Sequence, residues 1–264
     1  MENEALIRLS VFAGLFALFA VIEALAPRRQ RSQPRTTRWV TNWAITILNT
    51  ITLQLMARSL PLLAVGAAVD AGNQGWGLFN QVDLGVLPET LLAILIFDFA
   101  IWLQHLITHK VPILWRLHRV HHADRDIDVT TAIRFHPVEI ALSMLLKIGL
   151  VYALGPSALA IILFEILLNG TAMFNHANMR LPLGMDAALR TVLVTPDMHR
   201  VHHSVKRREH DSNYGFALSI WDRMFGTYIA QPEAGHEQMT IGLQWQDDRP
   251  SKLGWSLWLP FRRK

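Results

Sequence analysis

Long apolar runs constrain the fold of this chain more than any other feature. The first run covers residues 5–26 and is long enough to cross a bilayer core of about 30 Å at about 1.5 Å per helical residue. Further runs cover residues 88–107, 137–154 and 156–174, the last two separated at Gly155 and Pro156. Only 17% of the 264 residues are charged, against about 25% in soluble domains. The sequence therefore predicts an all-α, multi-pass integral membrane helical bundle with about four spans.

Another apolar run, residues 39–69, leaves two arrangements open. It is too long for one perpendicular span, and it contains Arg58, Ser59 and Pro61. Because proline removes a helix hydrogen bond, we expect either one kinked span or two shorter pieces.

The distribution of basic residues predicts which ends of the spans face the cytosol. The basic segment 27–38 follows the first run instead of preceding it, so this run is interpreted as a retained anchor and not as a signal peptide. Residues 70–87 contain no Lys or Arg, as expected on the non-cytosolic side. Residues 108–134 and the chain after residue 174 would then form a cytosolic helical cap. The same topology explains the pI of about 9.8 without a nucleic-acid partner, for which an aromatic-interleaved basic face is missing.

Histidine spacing gives the strongest chemical signal. The motif HLITH places two histidines at i and i+4, and HRVHH occurs twice. On a helix these offsets bring imidazoles onto one face, whereas about 0.02 H-x-x-H-H patterns are expected by chance in such a chain. Without cysteine, any metal must be bound by histidine and carboxylate. The predicted topology puts all of these histidines on the cytosolic side: His105, His109, His118, His121, His122, His199, His202 and His203.

The number of histidines predicts two metals, because one closed structural zinc site takes only four ligands. Imidazole suits zinc, copper, iron and nickel, so the ligand type alone does not select the metal. A metal pair at the membrane edge of an apolar bundle indicates redox chemistry on a lipid. A metallohydrolase is less favoured because no H-E-x-x-H motif is present.

An ordered series of motifs resembles the fatty acid hydroxylase and sterol desaturase superfamily. The series is DFAIWLQHLITH, H-x-x-H-H, RFHP, FNHAN, a second H-x-x-H-H, NYG and WDRMFGTY, between about residues 95 and 230. The resemblance implies a non-haem di-iron centre, cycling between Fe2+ and Fe3+ with O2 as co-substrate. Zinc in recombinant protein would not exclude iron in the cell. The implied ligands are His105, His109, His118, His121, His122, His176, His199, His202 and His203.

One departure from the family pattern concerns the box that contains His176. Some members carry a second histidine four residues earlier, where this chain has Ala172. A water, Asn175 or another histidine would then complete the ligand sphere. His210 and His236 are expected to be surface residues.

Polar residues near the boxes are candidates for hydrogen bonds that orient the ligand imidazoles. Asp98 precedes His105 by about two helical turns and is expected to accept a hydrogen bond from a ligand imidazole, with a salt bridge to arginine as the alternative. Glu165 and Asn169 would either line a substrate cavity or link helices. The orienting candidates are Asp98, His136, Asn175, Asp197, Asp211, Asn213 and Asp222. The four that flank the last box, Asp197, Asp211, Asn213 and Asp222, could instead cap turns or helices.

The resemblance implies an oxidoreductase that hydroxylates an unactivated C–H bond of a fatty acyl, alkyl or sterol-like membrane lipid. Electrons would come from an external ferredoxin or cytochrome, since the chain has no haem, flavin or cluster motif. A desaturase would share the same ligands, and a non-enzymatic metal-binding membrane protein is the third alternative. We predict an N-terminal transmembrane region at residues 1–87, a catalytic domain at 88–230 and a cytosolic tail at 231–264.

Overall fold

The computed structural model describes residues 4–59 and 63–262, and this part of the chain is helical, with three isolated β-bridges and no strand. Short 3-10 turns lie at Leu78–Asn80, Thr131–Ile133, Arg249–Ser251 and Leu259–Phe261. The α-helices are α1 (Glu4–Leu25), α2 (Arg35–Ser59), α3 (Ala64–Gln74), α4 (Val86–Lys110), α5 (Pro112–His122), α6 (Pro137–Leu154), α7 (Ala158–His176), α8 (Leu183–Leu189), α9 (Pro196–His202), α10 (Arg207–His210), α11 (Ile220–Met224), α12 (Gly235–Gln238) and α13 (Leu253–Trp258).

Four of the described helices, α1, α4, α6 and α7, are long and apolar enough to cross a membrane. Each begins and ends within a few residues of the apolar run that predicted it. Much of their apolar surface is exposed in the isolated chain, as is usual for helices that face lipid. The predicted all-α bundle with about four spans is confirmed.

The run at residues 39–69 forms two helices, and neither is among these four. In α2, Asn49 donates a hydrogen bond to the carbonyl of Phe135, just before α6 begins. In α3, Asp70 accepts one from Tyr152, close to the other end of α6. The two helices therefore lie in series along α6. Pro61, where the sequence predicts a break, lies outside the described residues.

Small residues let α3 pack between α6 and α7. Ala64, Ala67 and Ala68 are buried against side chains of α4, α6 and α7, including Met144 and Phe164. Small residues allow helices in a membrane to approach closely.

The turn between α6 and α7 is where the sequence places it. Gly155 ends α6 with φ at +65°, a conformation that favours glycine, and Ser157 accepts a hydrogen bond from the Ala160 amide to begin α7. A Cβ atom on Gly155 would overlap the carbonyl oxygen of Trp76. This tight connection returns α7 to the end of the bundle at which α6 began.

The ends of α4 and α7 and the start of α6 meet at one end of the bundle, where α5 and the chain after α7 form a cap. Helix α1 runs parallel to α7, since Arg8 contacts Glu165 near one end and Phe19 contacts Phe174 near the other. At the cap, Glu23 accepts hydrogen bonds from the amides of Val129 and Asn178.

A buried ion network fastens α2 to this cap. Arg38 donates to both carboxylate oxygens of Asp124, at 2.7 and 2.8 Å, and to Asp128 at 2.6 Å. Burial alone would raise the pKa of Asp124, but the Arg38 guanidinium outweighs this effect and holds that pKa well below its usual range. The network thereby fixes the loop that follows α5.

We expect Arg38→Met to lower the free energy of unfolding by about 3 to 5 kcal/mol, because it leaves two buried carboxylates without their cation. The measurement is denaturant unfolding of the detergent-solubilised protein. Lys252→Met, which breaks an exposed pair with Asp248, is the control and should change stability little. Equal effects of the two substitutions would contradict the structural role of the network.

Candidate metal centre

Short helices with defined starts carry the histidine boxes. Helix α5 begins with Pro112 in its first turn, and α9 begins with Thr195, which caps it by accepting a hydrogen bond from the Met198 amide, followed by Pro196. The H-x-x-H-H boxes fall at the ends of these helices. His105 and His109 lie in the last part of α4, and His176 is the last residue of α7.

All nine predicted histidines converge into two buried groups, in each of which the potential ligand nitrogens lie within 4.8 Å of one another. Each H-x-x-H-H box contributes to both groups, which accounts for its spacing. The groups adjoin, since the His122 and His203 rings stack at 4.6 Å across them. The larger group is His105, His109, His118, His122 and His202, and the smaller is His121, His176, His199 and His203.

Backbone carbonyls orient several of these imidazoles. The Nδ1 atom of His105 lies 2.7 Å from the Tyr214 carbonyl oxygen, and that of His202 lies 2.6 Å from the Ser212 carbonyl oxygen. His176 Nδ1 lies 2.7 Å from the Ala172 carbonyl oxygen. Because a carbonyl only accepts, Nδ1 must carry the proton and Nε2 presents a lone pair.

A carboxylate orients a further imidazole. Glu139 Oε1 lies 2.6 Å from His118 Nδ1, so His118 also presents its Nε2 lone pair. Glu139 is not among the residues predicted from the sequence. The available signal was an acidic side chain in the first turn of an apolar span, three residues after His136 in the RFHP motif.

The orientation of these rings fits a bound cation. His105 Nε2 and His118 Nε2 lie 3.0 Å apart, and His176 Nε2 lies 3.1 Å from the Nε2 atoms of His121 and His199. At His105 and His118 the contacts of both Nδ1 atoms leave the two Nε2 lone pairs facing each other, and these repel unless a cation lies between them. The separation also suits two nitrogens that each bind one metal at about 2.1 Å.

Unpartnered nitrogens give a second indication. Buried polar atoms in proteins are nearly always hydrogen-bonded, and leaving one unsatisfied costs about 1 to 3 kcal/mol. Among the described residues, both ring nitrogens of four histidines are buried without a hydrogen-bond partner, and three of the four, His109, His122 and His203, belong to the two groups, whereas His236 does not. The same holds for His121 Nδ1, His199 Nδ1 and His202 Nε2. The residues present therefore fit a metal pair.

Five of the histidines outside the spans are held neutral. Burial first, and then the neighbouring histidines, lower the pKa values of five imidazoles well below 6.5. These are His121, His122, His199, His202 and His203. At neutral pH they are in the form that binds metals.

Two of the predicted orienting residues lie beside the histidines. Asp211 Oδ1 is 3.5 Å from His109 Nδ1, and its other oxygen pairs with Lys110 at 3.0 Å. Asn175 adjoins His176 in sequence and donates a hydrogen bond to the Phe216 carbonyl, while its buried Oδ1 has no partner.

The expected contact from Asp98 to a ligand imidazole is wrong. Asp98 accepts hydrogen bonds from the Trp221 indole at 2.8 Å and the Leu218 amide at 3.3 Å, whereas His105 bonds to the Tyr214 carbonyl. Seven residues correspond to about 10 Å along a helix, so a shared face does not bring these side chains into contact. Nor does Asp98 pair with an arginine among the described residues.

Three further candidates, Asp197, Asn213 and His136, make no hydrogen bond or ion pair with the nine histidines in the described part of the chain. Asp197 pairs with Arg28 and Arg200. Asn213, at φ +51°, holds a turn through the carbonyls of Met198 and Ile229, and His136 caps α6. Asn213 and His136 thus serve the local backbone conformation, whereas Asp197 joins the segment after α1 to α9.

The expectation that His210 and His236 lie at the surface is also wrong. Both are buried, and the His210 ring stacks on Trp115 at 5.3 Å. Neither belongs to the two histidine groups, so proximity in sequence to the last box did not bring His210 into them.

A cavity of about 530 Å³ adjoins the larger histidine group and extends into the bundle. His105 and His118 line one end, and Glu165 and Lys147 line the cavity farther along α7 and α6. Glu165 thus both lines the cavity and links helices, combining the two roles considered from the sequence. Apolar side chains dominate the wall, among them Ile101, Phe135, Met144 and Leu168.

The fold and site define a helical membrane protein with paired histidine groups at the end of an apolar cavity. Residues 90–227, about half of the chain and including all nine histidines, match the family model described as fatty acid hydroxylase. The chain belongs to the fatty acid hydroxylase family. No solved structure was found to match it.

Several curated proteins are similar to this chain. Human alkylglycerol monooxygenase is 35% identical over 147 residues, which is 55% of this chain and 31% of the human protein. The ornithine lipid hydroxylase OlsE of Rhizobium tropici is 27% identical over 88% of this chain and 70% of that protein. A cholesterol 25-hydroxylase-like protein of Danio rerio is 25% identical over 86% of this chain and 94% of that protein. The matched segment thus covers less than a third of the human monooxygenase.

We expect Glu139→Gln to weaken metal binding about 10- to 100-fold, since loss of a carboxylate that orients a ligand imidazole has effects of this size. The measurement is chelator competition after anaerobic loading with Fe2+. Asp98→Asn makes the same acid-to-amide change without touching an imidazole, and it should leave metal binding unchanged. The role of Glu139 is refuted if both variants retain metal equally.

Proposed function

We propose that this protein is a membrane-bound, O2-dependent di-iron enzyme that hydroxylates an unactivated C–H bond of a lipid. The observation that carries the proposal is the position of the apolar cavity, one end of which is formed by His105 and His118 of the larger histidine group. A lipid chain in this cavity would have one carbon beside the metal centre.

The two groups would hold one iron each, with five imidazoles in one and four in the other. Asn175 is the candidate for a further ligand at the smaller group, because its buried Oδ1 has no partner and it adjoins His176. When bound, the iron pair supplies O2 activation and hydrogen abstraction. One oxygen atom enters the C–H bond as a hydroxyl group, and the other leaves as water with two electrons and two protons from an external donor.

The chain's own residues orient and shield this centre. The carbonyls of Tyr214, Ala172 and Ser212 keep Nδ1 of three ligands protonated, which directs their Nε2 lone pairs inward. Asp222 holds the Tyr214 carbonyl in place, since it accepts hydrogen bonds from the Tyr214 amide at 2.8 Å and the Gly215 amide at 2.9 Å.

Aromatic side chains separate the centre from water and direct the substrate. Phe135 stacks on the His121 ring at 4.4 Å, and the Phe216 ring lies 5.0 Å from the His105 ring. Both phenylalanines also line the cavity. A hydrocarbon chain would pack against them and so reach the histidines in a dry environment.

The relatives support a lipid substrate and hydroxylation. Alkylglycerol, ornithine lipid and cholesterol are chemically different lipids, and the proteins named for them are all monooxygenases or hydroxylases. A ferredoxin-type or cytochrome-type electron donor would meet the cap from the cytosol. The basic segment 27–38 at the cap end supports this orientation by the positive-inside rule.

The test is incorporation of 18O from 18O2 into lipids by the iron-loaded protein in nanodiscs with a chemical reductant, followed by mass spectrometry. His122→Ala and His203→Ala, one from each histidine group, should lower turnover at least about 100-fold. His236→Gln is the matched control, a buried histidine outside both groups, and should retain turnover.

A product that has lost two hydrogens without gaining oxygen would contradict hydroxylation and identify a desaturase. Absence of O2-dependent turnover on every lipid class tested would contradict the enzymatic function.

A further inference from the structure

A charged cluster lies inside the bundle, on the part of the cavity farther from the histidines. Glu165 of α7 accepts hydrogen bonds from Arg8 of α1 at 2.5 Å and from Lys147 of α6 at 2.8 Å. The side chains of Glu165 and Lys147 are only 7% and 13% exposed. Ionisable side chains within membrane spans are costly, and they commonly mark functional positions.

The hydrogen bonds of this cluster leave Lys147 incompletely satisfied. An ammonium group has three N–H donors, and in the described part of the chain Glu165 is the one acceptor for Lys147. One carboxylate oxygen of Glu165 accepts from Arg8 and the other accepts from Lys147. Arg8 has a second acidic partner in Glu4, at 2.8 Å. Lys147 therefore brings unused donors and a positive charge to the cavity wall.

The rise per helical residue gives the distance from this cluster to the histidines along α6 and along α7. On α6, Glu139, Ser143 and Lys147 follow one another at four-residue intervals and all line the cavity. Lys147 lies about 12 Å along the axis from Glu139, the residue that contacts His118. On α7, about 16 Å separate Glu165 from His176.

The wall between these two points suits a hydrocarbon chain. Ile101, Met144 and Leu168 line it together with the smaller polar groups of Gln104 and Ser143, which are hydrogen-bonded to each other. An extended chain advances about 1.2 Å per bond, so about ten bonds would separate a group at Lys147 from a carbon beside the histidines.

We propose that Lys147 binds an anionic oxygen group, a phosphate or a carboxylate, of an amphipathic lipid substrate and so determines which carbon is oxidised. The inference deepens the proposed function and rests on it in taking this cavity as the substrate site. Lys147 takes no part in bond breaking. It fixes the substrate at one end while the C–H bond to be oxidised lies about ten bonds away.

Binding measurements test whether the cavity recognises an anionic group, and they do not require turnover. The full-length protein in nanodiscs is titrated with dodecyl phosphate, dodecanoate and the neutral dodecanol. Wild type should bind at least one of the anions about tenfold or more tightly than the alcohol, the minimum expected of a hydrogen bond between charged groups. The tighter of the two anions identifies the preferred group.

Matched variants assign the preference to Lys147. Lys147→Met should abolish the preference for the anion over dodecanol, and Lys147→Arg should retain this preference. Arg58→Met removes an exposed cation from the last turn of α2, outside the cavity lining, and should keep it. A wild type without anion preference, or Lys147→Met with the wild-type preference, would overturn the proposal. Lys147→Gln serves in place of the methionine variant if that variant does not fold.

The position of oxidation tests whether Lys147 determines which carbon is oxidised. For anionic lipids of increasing chain length, the number of bonds between the anionic group and the carbon that wild type oxidises should stay constant. Lys147→Met should instead oxidise a mixture of positions. If the oxidised carbon instead lies at a constant number of bonds from the methyl end, the proposal is overturned while hydroxylation still holds. A wild type that binds the anions but oxidises no lipid would instead count against the proposed function.

Discussion

Burying nine imidazoles together is possible only when they are uncharged and when each ring is turned to a defined tautomer. In this protein burial and the neighbouring imidazoles lower the pKa values of five histidines of the cap, which keeps them neutral: His121, His122, His199, His202 and His203. Carbonyl oxygens and Glu139 then fix Nδ1 as the protonated atom at four of the rings. The Nε2 lone pairs of His105 and His118 therefore face each other at 3.0 Å, and a bound cation would relieve their repulsion.

The need to bring these imidazoles together in defined orientations explains the arrangement of the bundle. Each H-x-x-H-H box divides its rings between the two histidine groups, and it lies on a short helix at the cap and not within a span. Helices α4 and α7 must both end at that cap, and α6 must begin there, to deliver His105, His176 and Glu139 to the same place. The Arg38 network with Asp124 and Asp128 holds the loop after α5 against α2. The cavity between the spans then leads an apolar chain to the same point.

The spans and eight of the nine histidines could be predicted because they depend on local patterns, apolar length and helical spacing, and the family resemblance added His176. The sequence did not predict which acid would orient an imidazole, since that depends on how two helices meet. Asp98 shares a helix face with His105 but lies too far along the axis, whereas Glu139 reaches His118 from another helix. The burial of His210 against Trp115 is likewise a tertiary contact, and no local pattern indicates it.

X-ray absorption at the iron edge of the protein, loaded anaerobically with Fe2+ and combined with metal analysis, tests the central claim most directly. The account predicts two irons per chain, a first shell dominated by imidazole nitrogen, and loss of both features on denaturation. One iron per chain, or a first shell dominated by oxygen, would contradict it.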